Sequence, residues 1–207
     1  MAEYKGIKGF KVQYLSADPS DPIIGQTWYN STSKDLKYTG VTTTSAWATG
    51  GNMGTTRFAI GGAGTQTSAL AFGGEVPPYT ASTEEYNGAT WSPSGNLNTA
   101  RAFLGGCGTQ TAALGFGGEI PAVTGATEEY DGSTWTSNPT GLNTARRILA
   151  GCGTQTAALA FGGVIPPVTG ATEEYNGSTW TSNPTGLNTA RFGVGGAGTQ
   201  TAGLAFG

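Results

Sequence analysis

Apolar residues along this chain come in short runs bounded by glycine and polar turn residues, the pattern of β-strands joined by tight connections. Near the start, Phe10, Val12 and Tyr14 stand on alternate positions in the stretch from Ile7 to Leu15. That two-residue period predicts a strand with one covered face. The turn-rich SADPSDP follows, and GQTWYNSTSKDLKYTG (25–40) then reads as a hairpin. Its arms carry Trp28 and Tyr29 on one side and Leu36 and Tyr38 on the other, with Ser31 to Asp35 at the tip.

Beyond residue 53 the pattern becomes a repeat. Arg57 opens RFAIGGAGTQTSALAFGG, Arg101 opens RAFLGGCGTQTAALGFGG, Arg146 opens RRILAGCGTQTAALAFGG and Arg191 opens RFGVGGAGTQTAGLAFG, at spacings of 44, 45 and 45 residues. Each full unit predicts four strands. In the second unit these are Arg101 to Gly106, AALGF (112–116), TEEY (127–130) and STWTS (133–137). Gly-Thr-Gln-Thr turns the chain between the first two strands. Asp131-Gly132, like Asn87-Gly88 and Asn176-Gly177, is a hairpin signal between the last two. Four short antiparallel strands every ~45 residues predict an all-β fold of propeller blades.

The final unit holds only its first two strands. Residues 35–50 offer a remainder, because Leu36-Lys37-Tyr38 resembles the third strand and Ala46-Trp47 the fourth. Two readings stay open: four blades, with these N-terminal strands completing the last one and hiding both sheet edges, or more blades in a longer chain. The organisation expected is an arm over 1–22, a hairpin or partial blade over 23–52, and propeller repeats over 53–207.

Composition narrows the chemistry. Of 207 residues 36 are glycine and only 11% are charged, while 10% are aromatic, which excludes a highly charged disordered chain. The net charge of −3 gives nucleic acid no electrostatic footprint. All five lysines fall in the first 37 residues and all five arginines after residue 56, so two unlike parts are joined. No apolar run approaches the ~20 residues of a membrane span, and the start is too polar for a signal peptide. There is no histidine, which removes the commonest general base and the commonest metal ligand together. No cofactor or metal is expected.

The double glycine, the tyrosine before a turn and the tryptophan five residues on resemble the kelch motif. The landmarks recur in order as Gly73-Gly74, Tyr86 and Trp91, then Gly117-Gly118, Tyr130 and Trp135, then Gly162-Gly163, Tyr175 and Trp180. The period is a little short for kelch and the blades are unusually rich in glycine. The stretch G-x-x-W-Y-N…L-K-Y is similar to segments near the start of phage tail-fibre and other virion appendage proteins, and the repeats resemble glycine-rich arrays of marine viruses. That resemblance implies a particle-borne protein, made in the host cytoplasm and released by lysis.

Position decides the roles of the charged residues. An arginine at one place in every unit is expected to tie blade to blade, for instance to the TEEY glutamates, and three identical glutamate pairs are scaffold rather than glycosidase carboxylates. Cys107 and Cys152 share a repeat position with Ala63 and Ala197, so a small buried side chain is wanted there. In a four-stranded blade, loops 2–3 and 4–1 share one face, and here they are the long ones. Their unit-to-unit differences make Glu75, Tyr79, Glu119, Val123, Val164 and Val168 the candidate ligand-binding loop tips. Tyr4, Phe10, Tyr14, Trp28 and Tyr29 are candidates for particle attachment or oligomer contact, a trimer among the possibilities, and equally for a cap on the first blade. No catalytic residue is assigned. The expectation is a non-enzymatic tail-fibre-like protein that contacts other virion proteins and a host surface glycan or protein. The alternatives are a structural virion protein of capsid, tail or neck, and a glycan-cleaving tail enzyme.

Overall fold

The computed structural model describes residues 12–21, 26–39 and 49–207. Packing divides the chain into two compact units, Met1–Ala48 and Thr49–Gly207, and the described residues contain no helix.

The first unit is a three-stranded sheet of β1 (Gln13–Leu15), β2 (Thr27–Asn30) and β3 (Asp35–Tyr38). The expected hairpin forms, with Thr27 opposite Tyr38 and Trp28 opposite Lys37, and β1 lies parallel to β2. The turn is Ser31 to Lys34, so Asp35 opens the returning strand instead of standing in the tip. Of the strand expected from Ile7, only Gln13–Leu15 falls within the described residues, and Tyr4 and Phe10 lie outside them.

The second unit repeats one antiparallel sheet. β4 (Gly61–Thr65), β5 (Ser68–Phe72), β6 (Thr83–Tyr86) and β7 (Trp91–Ser94) form the first in chain order. β8 (Gly105–Thr109) and β9 (Ala112–Phe116) begin the second, and the two-residue strands β10 (Glu119–Ile120) and β11 (Ala122–Val123) form a small hairpin in its long loop. β12 (Thr127–Tyr130) and β13 (Trp135–Asn138) then complete it. The third sheet is β14 (Ala150–Thr154), β15 (Ala157–Phe161), β16 (Thr172–Tyr175) and β17 (Trp180–Asn183). β18 (Gly195–Gly198) and β19 (Gly203–Phe206) are a two-stranded sheet. The opening strands begin later than the sequence suggests: β8 starts at Gly105, because Arg101 to Leu104 serve as a buried connection.

Consecutive sheets lie face to face in a propeller-like arrangement, with β4, β8, β14 and β18 side by side as the innermost strands. Their Gly-Ala-Gly or Gly-Cys-Gly triplets, 62–64, 106–108, 151–153 and 196–198, line one shared groove. The core is a series of slices between sheets. Leu70, Phe72, Leu97 and Leu104 meet Ala113, Tyr130 and Trp135 in the first slice. Phe116, Leu142 and Leu149 meet Ala158, Tyr175 and Trp180 in the second. Among the described residues β3 pairs only with β2 and β19 only with β18, so the strand pair expected to complete the last sheet is not found there. Ala46-Trp47 lies outside the described residues.

Candidate functional site

The double glycine sets how each sheet meets the next. Gly73 and Gly74 have φ of 65° and 110°, and the Gly74 amide donates to the Arg101 carbonyl of the following unit at 2.9 Å. A Cβ on Gly73 would stand 2.6 Å from that carbonyl oxygen. Only glycine serves there, for its backbone angle and for the close approach.

The repeated arginine pairs with the first glutamate of TEEY, but within its own unit. Arg57 meets Glu84 at 3.1 Å, Arg101 meets Glu128 at 3.1 Å, and Arg146 meets Glu173, all with side chains almost wholly buried. The expected blade-to-blade role is therefore corrected for the arginines. The same glutamates also accept the backbone amides of Gly54, Asn98 and Asn143, so each pair pins the connection that enters its sheet. Burial pushes the Arg57 and Arg101 guanidiniums below their usual range, and the glutamate charge opposes that shift. A buried ion pair of this kind is a device for position more than for net stability.

Other residues join unit to unit. The Tyr130 hydroxyl donates to Glu85 at 2.5 Å and Tyr175 donates to Glu129, so the second glutamate of TEEY receives the next unit's tyrosine. Burial, then that carboxylate, pushes the Tyr130 phenol up to about 12. Gln110, Gln155 and Gln200, in what reads as a simple turn, reach back to two carbonyls of the preceding unit at 2.6 to 3.0 Å. The Asn/Asp-Gly hairpins have four-residue loops instead of two: the Asp131 side chain accepts the amides of Ser133 and Thr134, which holds its carboxyl near about 2. Cys107 and Cys152 are free and buried as small core residues, and burial pushes the Cys107 thiol up to about 12. That removes thiolate chemistry at neutral pH.

With the tight-turn side occupied by these clasps, the long-loop side is the candidate site. Its six predicted residues are the stems of small hairpins. Glu75 pairs with Tyr79, Glu119 with Val123, and Val164 with Val168. The exposed tips are Val76-Pro77-Pro78, Pro121-Ala122 and Pro166-Pro167. Each stem also pairs with the connection that opens its unit, as Phe58 with Glu75, Ala102 with Glu119 and Arg147 with Val164. Side chains then join the stems across units. The Tyr79 hydroxyl donates to Glu119 Oε1 at 2.5 Å, and Arg147, 5.8 Å over the Phe103 ring, donates to Glu119 Oε2. Glu119 accordingly raises the Tyr79 phenol.

Beneath the stems, Ala59, Phe103, Ile148 and Gly193 all have φ between 54° and 65°. Phe103 donates to the Ala59 carbonyl, Ile148 to Phe103 and Gly193 to Ile148, at 2.8 to 3.1 Å. A left-handed phenylalanine and a left-handed isoleucine are costly. The backbone ladder along this face holds them there.

In the first unit, Asp18 accepts from Trp28 Nε1 at 2.9 Å, Asn30 Nδ2 at 2.7 Å and Lys37 Nζ at 2.7 Å. The Lys37 bond is the largest cause that lowers its carboxyl to about 2. The Trp, Asn and Lys of the N-terminal motif thus serve one carboxylate. Trp28 is buried, whereas Tyr14 is exposed and stacks on Tyr29 at 5.2 Å. Among the described residues no group of three His, Cys, Asp or Glu side chains could hold a metal ion. Comparison with protein-family models and with curated proteins found no match.

Proposed function

We propose that this chain is a recognition module: a kelch-like β-propeller that binds a ligand on its long-loop face without catalysing a reaction. The observation that carries the reading is the joined stems of that face, Tyr79 to Glu119 to Arg147 across three units. They hold the proline-bearing tips in place before any ligand arrives. A preordered loop loses little entropy on binding, and equivalent tips on successive units suit a repetitive surface such as a glycan.

The proposed setting is a bacteriophage particle, with the module in a tail-fibre-like appendage that presents its tips to a host surface glycan or protein. This rests on the similarity of the N-terminal motif to virion appendage proteins. Attachment to other virion proteins, and assembly into a homo-oligomer, are assigned to the N-terminal unit, where Tyr14 and Tyr29 offer a stacked aromatic pair.

Competition for adsorption tests the reading. Purified chain should slow attachment of the source particles to host cells, and Pro77→Asp with Pro166→Asp should abolish the competition while the fold persists. Gold-labelled antibody to 53–207 should mark the tail. Label spread over the capsid, without competition, would favour a structural virion protein. Release of soluble sugar from host polysaccharide would favour the glycan-cleaving enzyme.

A further inference from the structure

The slices between sheets are built alike, except in one place. In the first, the Trp135 ring packs on Phe72 with centroids 4.7 Å apart, and its Nε1 donates to Thr83 Oγ1 at 3.0 Å. In the second, Trp180 packs on Phe116 at 5.0 Å and donates to Thr127 Oγ1 at 2.9 Å. In the third, Phe161 and Thr172 hold the same repeat positions and line a cavity closed by Leu159, Leu187, Gly203 and Ala205.

Three further observations give this cavity a shape and a polarity. Leu70 and Leu114 are buried to 2% and 0%, and Leu97 and Leu142 to 4% and 7%, whereas their equivalents Leu159 and Leu187 are half-buried. β5, β9 and β15 each pair on both sides, but β19 pairs on one, and its Leu204 and Phe206 are exposed. Glu174 already holds Asn183 at 2.8 Å, as Glu129 holds Asn138 at 3.2 Å. Glu129 also accepts the tyrosine hydroxyl of the following unit, on the third strand.

We propose that this cavity and the edge of β19 together form a binding site for a tryptophan-bearing β-hairpin of another polypeptide. The two filled interfaces in the same molecule specify the ligand. It carries Tyr and Trp five residues apart and opposite each other across a hairpin, as in Tyr130 with Trp135 and Tyr175 with Trp180. Its first strand adds to β19, its indole enters between Phe161 and Thr172, and its phenol reaches Glu174. Backbone pairing supplies adhesion and the indole pocket supplies selectivity, the usual division of labour when a strand joins a sheet edge. A second folded copy of residues 49–207 does not suit the site, because all three of its Tyr–Trp hairpins are paired within their own sheets.

The test is a titration of the isotope-labelled 207-residue chain with a synthetic peptide of the sequence TEEYNGSTWTSN, that of residues 172–183, followed by NMR. Saturable shifts are expected at Leu159, Phe161, Thr172, Leu187 and β19, with slowed amide exchange over Gly203–Phe206. A peptide with its Trp changed to Ala should bind at least about 10-fold more weakly, as for a buried aromatic anchor. Thr172→Val in the protein, close to isosteric, should weaken the parent peptide about 3- to 10-fold through the lost indole hydrogen bond. No shifts at millimolar peptide on a folded chain would overturn the proposal. So would equal binding of the Trp-less peptide, or self-association of the chain that shields β19 and gives the edge to a second copy. The loop-face reading is tested by adsorption and stands or falls separately.

Discussion

The N-terminal sheet and the repeats both place a carboxylate at the centre of their organisation, in opposite surroundings. Asp18 is solvent-facing and gathers Trp28, Asn30 and Lys37 from the two arms of a hairpin. Glu128 and Glu173 are buried to 1% and each faces a fully buried arginine. A three-stranded sheet of short strands has little apolar face to bury, so polar ties to one side chain must fix its shape. A repeat has a neighbouring sheet to cover it. There the carboxylate can go inside, where its partner becomes obligatory.

That contrast sets the order of expected effects. Glu173→Gln strands the Arg146 charge in the interior and should cost about 3–5 kcal/mol in urea unfolding of the second unit. Tyr175→Phe removes the phenol from Glu129 and Asn138, and a loss of about 1–3 kcal/mol is expected, for a hydrogen bond to a charged group. Gln155→Ala leaves two backbone carbonyls of the preceding unit without their donor, at about 1 kcal/mol. Asp18→Asn should leave unfolding of the second unit unchanged. If it proved as damaging there as Glu173→Gln, the contrast would fail.

Acid sharpens the comparison further. The Asp18 carboxyl is lowered from 3.8 to about 2 in the folded chain, so its contribution is fully present above about pH 4. It is lost as pH falls through about 2, because the unfolded chain then binds the proton first. Amide exchange within β2 and β3 should quicken over that interval, and Asp18→Asn should remove the dependence.

Much of the fold is legible in the sequence because local chemistry dictates it. The repeat, the turn after each tyrosine, the double glycines and the hairpin at 27–38 all rest on residues whose requirements are met within a few positions. Partner choice is less legible. The sequence pairs the arginines with TEEY correctly but not with the copy in the same unit, since identical units offer identical partners. Gln110 and Gln155 read as turn residues because their acceptors lie about 40 residues back. Glu75 and Tyr79 read as a loop tip, since only the fold shows that they pair and leave the prolines outermost. The left-handed Phe103 and Ile148 give no signal at all, because bulky residues seldom adopt that conformation without tertiary support.

Four of the recurring donors point the same way along the chain. The glutamine, the tyrosine hydroxyl, the tryptophan indole and the left-handed amide of each unit all reach toward acceptors in the unit before it. A chain emerging from the ribosome therefore presents each new segment to a surface already made, and assembly can follow the order of synthesis. Chains shortened to residues 1–145 or 1–190 should keep native protection in the sheets that remain. Chains shortened from the other end should lose it, since their first sheet has no earlier one to grip.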